Sequence, residues 1–215
     1  MKVIGCTSQL AMGKDTFCDY LAIKLNQYDI KWTRGAFANA VKETFCNAFG
    51  VDRDFIEKWK RIPENPPGFL MPIRQCLQFI GDGYRKIRDE IWIEIALRDN
   101  GQNLIISDGR YFNEAKRIKE KDGIMFLIYR PGYLNNDPNP SESQIRPLLD
   151  WAKNNLNEGP IDHQQILMHH HVSTPSELMY FDYYLVNDGS IEDFYEKIQE
   201  KVVPYILQTK MYQKK

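Results

Sequence analysis

The chain has 215 residues, 43% of them hydrophobic and 27% charged, ordinary proportions for a soluble globule and enough chain for one well-buried domain with insertions. Its formal net charge of −1 and pI near 6.4 give no global basic footprint, which argues against nucleic acid as a main partner. Four cysteines without C-x-x-C spacing, the absence of a long apolar run, and a strand that starts at the N-terminus argue against a disulfide framework, a membrane span and secretion; a cytoplasmic location is expected.

Lys2 to Leu21 predicts a strand, a phosphate loop and a helix. Val3, Ile4 and Cys6 form a short apolar run, and Gly13-Lys14-Asp15-Thr16 opens an amphipathic helix with Phe17, Leu21 and Leu25 on one side. In such a loop, backbone N–H groups wrap phosphate oxygens and the helix N-terminus adds partial positive charge. A Lys neutralises the oxygens, and a hydroxyl near the helix start ligates Mg²⁺. The strict G-x-x-x-x-G-K-[ST] pattern is not met. Ser8 stands at the first Gly, so the loop is expected to turn there without glycine's freedom at positive φ. Asp15 follows the Lys, leaving Thr16 as the nearest hydroxyl and bringing a carboxylate close to the expected metal. A plain helix cap is the competing explanation, and the flanking strand and helix weigh against it.

Further along, Ile30 to Phe37 predicts a second strand and Ala38 to Phe49 a helix stopped by Gly50, with Lys42 pointing away from its apolar face. Asp52 to Lys60 predicts a short helix, and the prolines between Pro63 and Pro72 an irregular loop. A helix resumes at Ile73, with Leu77 and Ile80 on one face, and is expected to break at Gly81-Asp82-Gly83 before another helix carries Ile91, Trp92, Ile95 and Ala96. Asn103 to Ser107 reads as a buried parallel strand ending in Asp108-Gly109-Arg110, a position where ligands bind in open α/β sheets. Tyr111 to Lys121 is a surface helix and Ile124 to Tyr129 a fourth strand. Gly132 to Pro175 is expected to be the least regular stretch, with one helix from Ile145 to Leu156 and the run His169-His170-His171, which lacks the spacing of a metal site. Asp182 to Val186 predicts a fifth strand and Ile191 to Leu207 a closing helix. Strands alternating with helices argue for a three-layer α/β domain around a parallel sheet.

Phosphoryl transfer requires phosphates held in line and their charge neutralised. The candidates are Lys14, Arg74, Arg85, Arg88, Arg110, Arg130 and Arg146, with Asp15, Thr16 and Asp108 near metal or acceptor. A lone Arg is more often a solvated surface charge; Arg74, which opens a helix after the Pro-rich loop, and Arg110, which follows a strand-end Asp, stand out by position. Tyr84 and Trp92 could stack on a base, although aromatics at helical spacing are more often core.

Several stretches, in order along most of the chain, resemble the phage-type deoxynucleoside monophosphate kinases, a branch of the P-loop NMP kinase fold. Gly13-Lys14-Asp15-Thr16 is similar to the Gly-Lys-Asp-Thr loop of that family, and Phe37-Ala38-Asn39-Ala40-Val41-Lys42-Glu43 to its Phe-Ala-Asp-Pro-Leu-Lys-Glu segment. Arg74 to Gly81 resembles its Arg-x-x-Leu-Gln-x-x-Gly helix, and Arg85 to Trp92 the Arg and Trp that follow. Asp108-Gly109-Arg110-Tyr111-Phe112-Asn113-Glu114-Ala115 resembles its Asp-Val-Arg-Phe-x-Asn-Glu-Ala motif, with Gly109 in place of Val. His171, Ser176 and Glu177, Asp182-Tyr183, and Asn187-Asp188-Gly189-Ser190 resemble its later elements.

The resemblance implies a three-layer P-loop kinase fold with a parallel sheet of about five strands, helices on both faces, an NMP-binding region at about 37–100 and a lid-like insertion at about 132–175, in one domain. It implies ATP held by Met12, Gly13, Lys14, Asp15, Thr16 and Arg146, with Mg²⁺ at Thr16 and Asp15. It implies a deoxynucleoside monophosphate held by Lys42, Arg74, Gln78, Arg85, Arg88, Trp92 and Glu177. Lys14, Arg110, Asp108 and Asp15 would serve the transfer itself, with Arg130 a further cation near the phosphoryl group. A homodimer is compatible, and the location would be host-cell cytoplasm for a phage-encoded chain. A P-loop kinase acting on a hydroxyl, such as a modified base in DNA or a small phosphorylated metabolite, and an inactive nucleotide-binding protein are the competing readings. Retention of Lys14, Asp15, Thr16 and Asp108 disfavours the latter.

Overall fold

The structure is a computed structural model that describes residues 1–28, 31–98, 101–134, 140–170 and 174–209. In chain order the first elements are β1 (Val3–Thr7), α1 (Lys14–Leu25), β2 (Trp32–Gly35), α2 (Phe37–Phe49), α3 (Arg53–Trp59), α4 (Ile73–Ile87) and α5 (Ile91–Ala96). There follow β3 (Asn103–Gly109), α6 (Phe112–Lys119), β4 (Ile124–Tyr129), α7 (Pro140–Ser143), α8 (Arg146–Asn155), β5 (Gly159–Pro160) and α9 (His163–His170). The chain closes with a 3₁₀ turn (Ser176–Tyr180), β6 (Tyr183–Val186), and α10 (Ile191–Lys197), which runs through a π turn (Ile198–Val202) into α11 (Val203–Gln208). Two compact units result, one of Met1–Gly35 with Asp99–Lys215, the other of Ala36–Arg98.

The first unit is an α/β layer structure around a six-stranded sheet in the order β2-β3-β1-β4-β6-β5. All pairings are parallel except β5 with β6. The central strand β1 is buried at every position, as a parallel strand covered on both faces must be. On one face, Ile4, Cys6, Phe126 and Ile128 pack against Phe17, Cys18, Leu21 and Leu25 of α1 and against Phe194, Ile198, Val202 and Ile206 near the C-terminus. Side chains alternate along a strand, so Met125 and Leu127 turn to the opposite face. There α6, with Ala115 and Ile118 buried, packs on β1 and β4, and α8, with Leu148, Leu149 and Ala152 buried, packs on β4.

The second unit is helical, with two apolar clusters. Phe45, Ile56, Ile73 and Cys76 form one, flanked by Phe69; Ala40, Val41 and Trp92 form the other. Asp52 caps α3 by accepting the Phe55 N–H at 2.7 Å.

The five expected strands are all present; one expectation is extended and two are corrected. The sheet has six strands, because a two-residue antiparallel edge strand, β5, lies in the stretch expected to be irregular. Its Pro160 suits an edge, where a missing N–H costs no ladder bond. That stretch also holds α7 and α9 besides α8. Finally, α4 runs unbroken through Gly81-Asp82-Gly83. Glycine's cost of roughly 1 kcal/mol in a helix is offset by packing: Trp92 Nε1 donates to the Gly81 carbonyl at 2.9 Å and its ring lies 5.2 Å from that of Tyr84. Among the described residues no helix is long and apolar enough to cross a membrane.

Candidate functional site

Between β1 and α1, residues 8–13 form a loop whose turn falls at a different place from that expected. Ser8 is buried, and its backbone is not left-handed; the positive φ values belong to Ala11 (63°) and Gly13 (100°). The loop therefore carries its strain at Ala11, where a left-handed alanine costs roughly 1–2 kcal/mol. Gly13 answers a second constraint besides φ. A Cβ there would lie 2.7 Å from Asn187 Nδ2, which donates to the Met12 carbonyl at 3.1 Å. Asn187 is buried just beyond the end of β6, and nothing in its local sequence indicates that it braces the loop.

Lys14 folds back into this loop. Its Nζ donates to the Ser8 carbonyl at 2.7 Å, to Ser8 Oγ at 3.1 Å and to the Gln9 carbonyl at 2.8 Å. Burial pushes the ammonium below its ordinary 10.5, and Arg110 acts in the same direction, while Cys6, Glu142 and Asp15 oppose the shift. Gly13 supplies no side-chain cap to α1. The head of the helix is therefore open to an anion rather than closed by its own sequence.

Asp15 and Thr16 stand in the first turn of α1. The Asp15 carboxylate is 83% exposed and receives Arg34 Nη2 at 3.0 Å from β2; Arg34 also reaches the Asp15 carbonyl and Asp19. Sequence reasoning gave Arg34 no role, since no local pattern relates a strand-end Arg to the helix it meets. Among the described residues no group of three or more His, Cys, Asp and Glu is placed to hold a metal. Mg²⁺ needs no such cage, since it keeps several waters and takes one or two protein oxygens beside phosphate oxygens. Thr16, in the first turn of α1, has the chemistry of one such oxygen donor, whereas the Asp15 carboxylate is held by Arg34.

At the end of β3, Asp108 is half-buried and Gly109 buried. A Cβ on Gly109 would meet the Cys6 carbonyl at 3.0 Å and Thr7 Oγ1 at 3.1 Å, so this strand end lies close against the strand that feeds the loop. The following turn is fixed by buried Glu114, whose Oε2 accepts from the Arg110 N–H at 2.7 Å and the Tyr111 N–H at 3.0 Å. The Arg110 guanidinium reaches Glu142 Oε1 at 3.5 Å, and Glu142 Oε2 accepts the Leu10 N–H at 2.8 Å. The sheet unit thus gathers Lys14, Arg110 and the loop backbone around one carboxylate, Glu142, that sequence reasoning missed.

Other anticipated residues of this unit have local partners. Arg130 lies over the Tyr133 ring at 4.2 Å, Arg146 Nε pairs with Asp150 at 3.2 Å, and Glu177 accepts from Ser176 Oγ at 3.1 Å. α9 extends through His169 and His170, where a loop was expected, and His171 lies outside the described residues.

In the helical unit, Lys42 Nζ donates to Glu57 Oε1 at 2.7 Å. Lys60 also pairs with Glu57, and the two ammonium groups hold its carboxyl at about 2. Arg74, exposed at the start of α4, lines a cavity of about 430 Å³ together with Lys60, Arg61, Pro63, Pro72 and Gln75. Gln78 is exposed one turn on, Arg85 pairs with Asp82 at 3.3 Å, and Arg88 with Glu94 at 2.8 Å. Trp92 is only 2% exposed and its indole N–H is bound to Gly81, so the structure places it in the core of the unit.

No family model matches the chain. It is similar to a protein of Acanthamoeba polyphaga mimivirus named "Putative deoxynucleotide monophosphate kinase", 25% identical over 217 residues that cover 92% of this chain and 94% of that one. Among solved structures it is similar to shikimate kinase from Acinetobacter baumannii in complex with shikimate, at 14% identity and a TM-score of 0.45, over 97% of this chain and 96% of that one.

Proposed function

We propose that the protein is an ATP-dependent kinase that phosphorylates deoxynucleoside 5′-monophosphates. The observation that carries this reading is the loop itself. A half-buried Lys14 folds over carbonyls at the head of an uncapped helix, and Arg110, from the end of the neighbouring strand, lies near enough to act on its charge. Such a site suits a polyphosphate because oriented N–H groups and fixed cations are already in place before the anion arrives. Similarity over nearly the full length to a protein named as a deoxynucleotide monophosphate kinase adds the acceptor class.

In this reading the backbone from Leu10 to Lys14 holds the donor phosphates, and Lys14 and Arg110 neutralise the charge that develops on the transferring group. Thr16 would hold Mg²⁺, which supplies further neutralisation of the phosphate oxygens. The acceptor phosphate belongs to the helical unit, where Arg74 and Arg61 face the same cavity. A nucleotide phosphate is already an anionic nucleophile, so no general base is needed. Asp108, at the strand end beside Arg110, is assigned to the metal or the acceptor phosphate.

A coupled assay of ADP release across the deoxynucleoside monophosphates, the ribonucleoside monophosphates and DNA tests the reading. Turnover confined to free deoxynucleotides supports it. Turnover only with DNA or with a hydroxyl acceptor would replace it.

A further inference from the structure

Glu142 is the most unusual group near the loop. Its side chain is only 5% exposed, yet it lies against backbone and cations rather than in an apolar cluster. Its Oε2 accepts the Leu10 N–H at 2.8 Å, its Oε1 stands 3.5 Å from Arg110 Nη1, and its own carbonyl accepts from Gln9 Nε2 at 3.1 Å. A carboxylate removed from water to this degree is unfavourable without charged or N–H partners, and here the partners are those a phosphoryl oxygen would use. Lys14 also lies near enough to feel its charge.

We infer that the Glu142 carboxylate occupies the seat of the terminal phosphoryl group of a triphosphate ligand, and that binding of the triphosphate expels it. This rests on the reading of the loop as the donor-phosphate site. The Leu10 N–H has one proton to give, and two anions in a poorly screened site repel one another. Glu142 and the terminal phosphoryl group are therefore mutually exclusive occupants. While it is seated, Glu142 fills an otherwise open anion site and fixes α7 to the loop. The ligand's apparent affinity is its intrinsic affinity reduced by the fraction of molecules in which the seat is clear. Departure of Glu142 also exchanges the carboxylate 3.5 Å from the Arg110 guanidinium for the phosphoryl group.

Titration calorimetry with inorganic triphosphate tests this on the full chain, comparing wild type with Glu142→Gln, Glu142→Ala and Glu142→Asp. The Gln and Ala variants are expected to bind triphosphate tighter by about tenfold or more, the scale of one charge-assisted hydrogen bond. Asp, which keeps the charge but draws it back by one methylene, is expected to fall between wild type and Gln. Unchanged or weaker binding in folded Gln and Ala variants would overturn the inference, because a carboxylate that positions the ligand, or does nothing, gives that result. If Gln and Ala melt too low to assay, the Asp variant decides by the same sign. The outcomes separate this inference from the kinase reading. Unchanged affinity with deoxynucleotide turnover intact sinks only the role of Glu142, and tighter binding without such turnover sinks only the acceptor assignment. Failure of every form to bind triphosphate removes the donor site and this inference with it.

Discussion

Asn187 Nδ2 donates to the Met12 carbonyl across 175 residues of sequence, and the same nitrogen closes the space above Gly13. The loop between β1 and α1 is thus braced from beyond β6, two strands away in the sheet. Gly13→Ala should destabilise the fold, since it adds a left-handed alanine to a Cβ clash at 2.7 Å with the buried amide. Asn187→Ala removes that clash but leaves the Met12 carbonyl without this donor, at a cost of roughly 1–3 kcal/mol. Thermal melts of the two single variants and the double variant check this. The double variant should melt higher than the sum of the single effects predicts, because the clash exists only when both side chains are present.

Lys14 gives a proton-linkage prediction. Burial lowers its folded-state affinity for a proton below that of the unfolded chain, so between the two pKa values the unfolded state binds more protons and stability rises with pH. Below the folded value the full cost of the buried charge is present. A bound polyphosphate reverses the shift by adding negative charge beside the ammonium. Binding of ATP at alkaline pH should therefore take up protons, seen as a dependence of calorimetric heat on the buffer's ionisation enthalpy. The uptake should vanish in Lys14→Met, which should also lose kcat by orders of magnitude.

Arg74 and Arg61 share one cavity within the helical unit. If that cavity holds the acceptor phosphate, Arg74→Ala should raise KM for the monophosphate with little change in ATP affinity. Arg61→Ala should act in the same direction. Steady-state kinetics with each substrate varied in turn checks the split, and an equal loss of ATP binding would place Arg74 with the donor.

Glu57 is held at about 2 by Lys42 and Lys60, against an ordinary value of 4.5. Since the folded value is the lower one, its stabilising contribution is present above about 4.5 and is lost as pH falls toward about 2. Glu57 is largely solvated, so the effect is modest. Glu57→Gln should flatten the acid limb of the stability curve in that window, measured by denaturant melts, and should release Lys42 from its carboxylate partner.

Much of the sheet unit was legible because its signals are local: apolar runs bounded by turns for β1, β3, β4 and β6, and Gly-Lys at the head of an amphipathic helix. Unbroken α4 was not legible, because the burial of Trp92 against Gly81 overrides glycine's weak propensity. The candidate site was legible only where it follows from chain order. Lys14 opens the helix that follows β1, and Asp108 and Arg110 stand at the end of β3, where a parallel sheet places them. Arg34, Glu142 and Asn187 reach the loop or α1 from 19, 132 and 175 residues away, and no periodicity encodes such meetings. Ser8 shows the reverse error: the missing glycine suggested strain there, and the strain sits at Ala11.

Gly109 occupies the place of a Val in the resembling motif, and the structure gives this chain a reason for the glycine. The register between β1 and β3 shifts between Gly5 and Thr7, bringing Thr7 opposite Gly109. A Cβ at 109 would then stand 3.0 Å from a backbone carbonyl of β1, an atom with little freedom to retreat. Gly109→Val should therefore force the ends of the two strands apart and cost roughly 1–3 kcal/mol. The same displacement moves Arg110 away from Lys14 and the loop, so kcat should fall by more than the loss of folded protein explains, since small misplacements at a phosphoryl-transfer site are costly. Gly109→Ala carries the first Cβ without the branch and should show a smaller loss of the same kind. Melting temperature together with kcat per folded molecule checks the pair, and a Val variant with wild-type values of both would mean that the strand ends relax freely and that their close approach does not position Arg110.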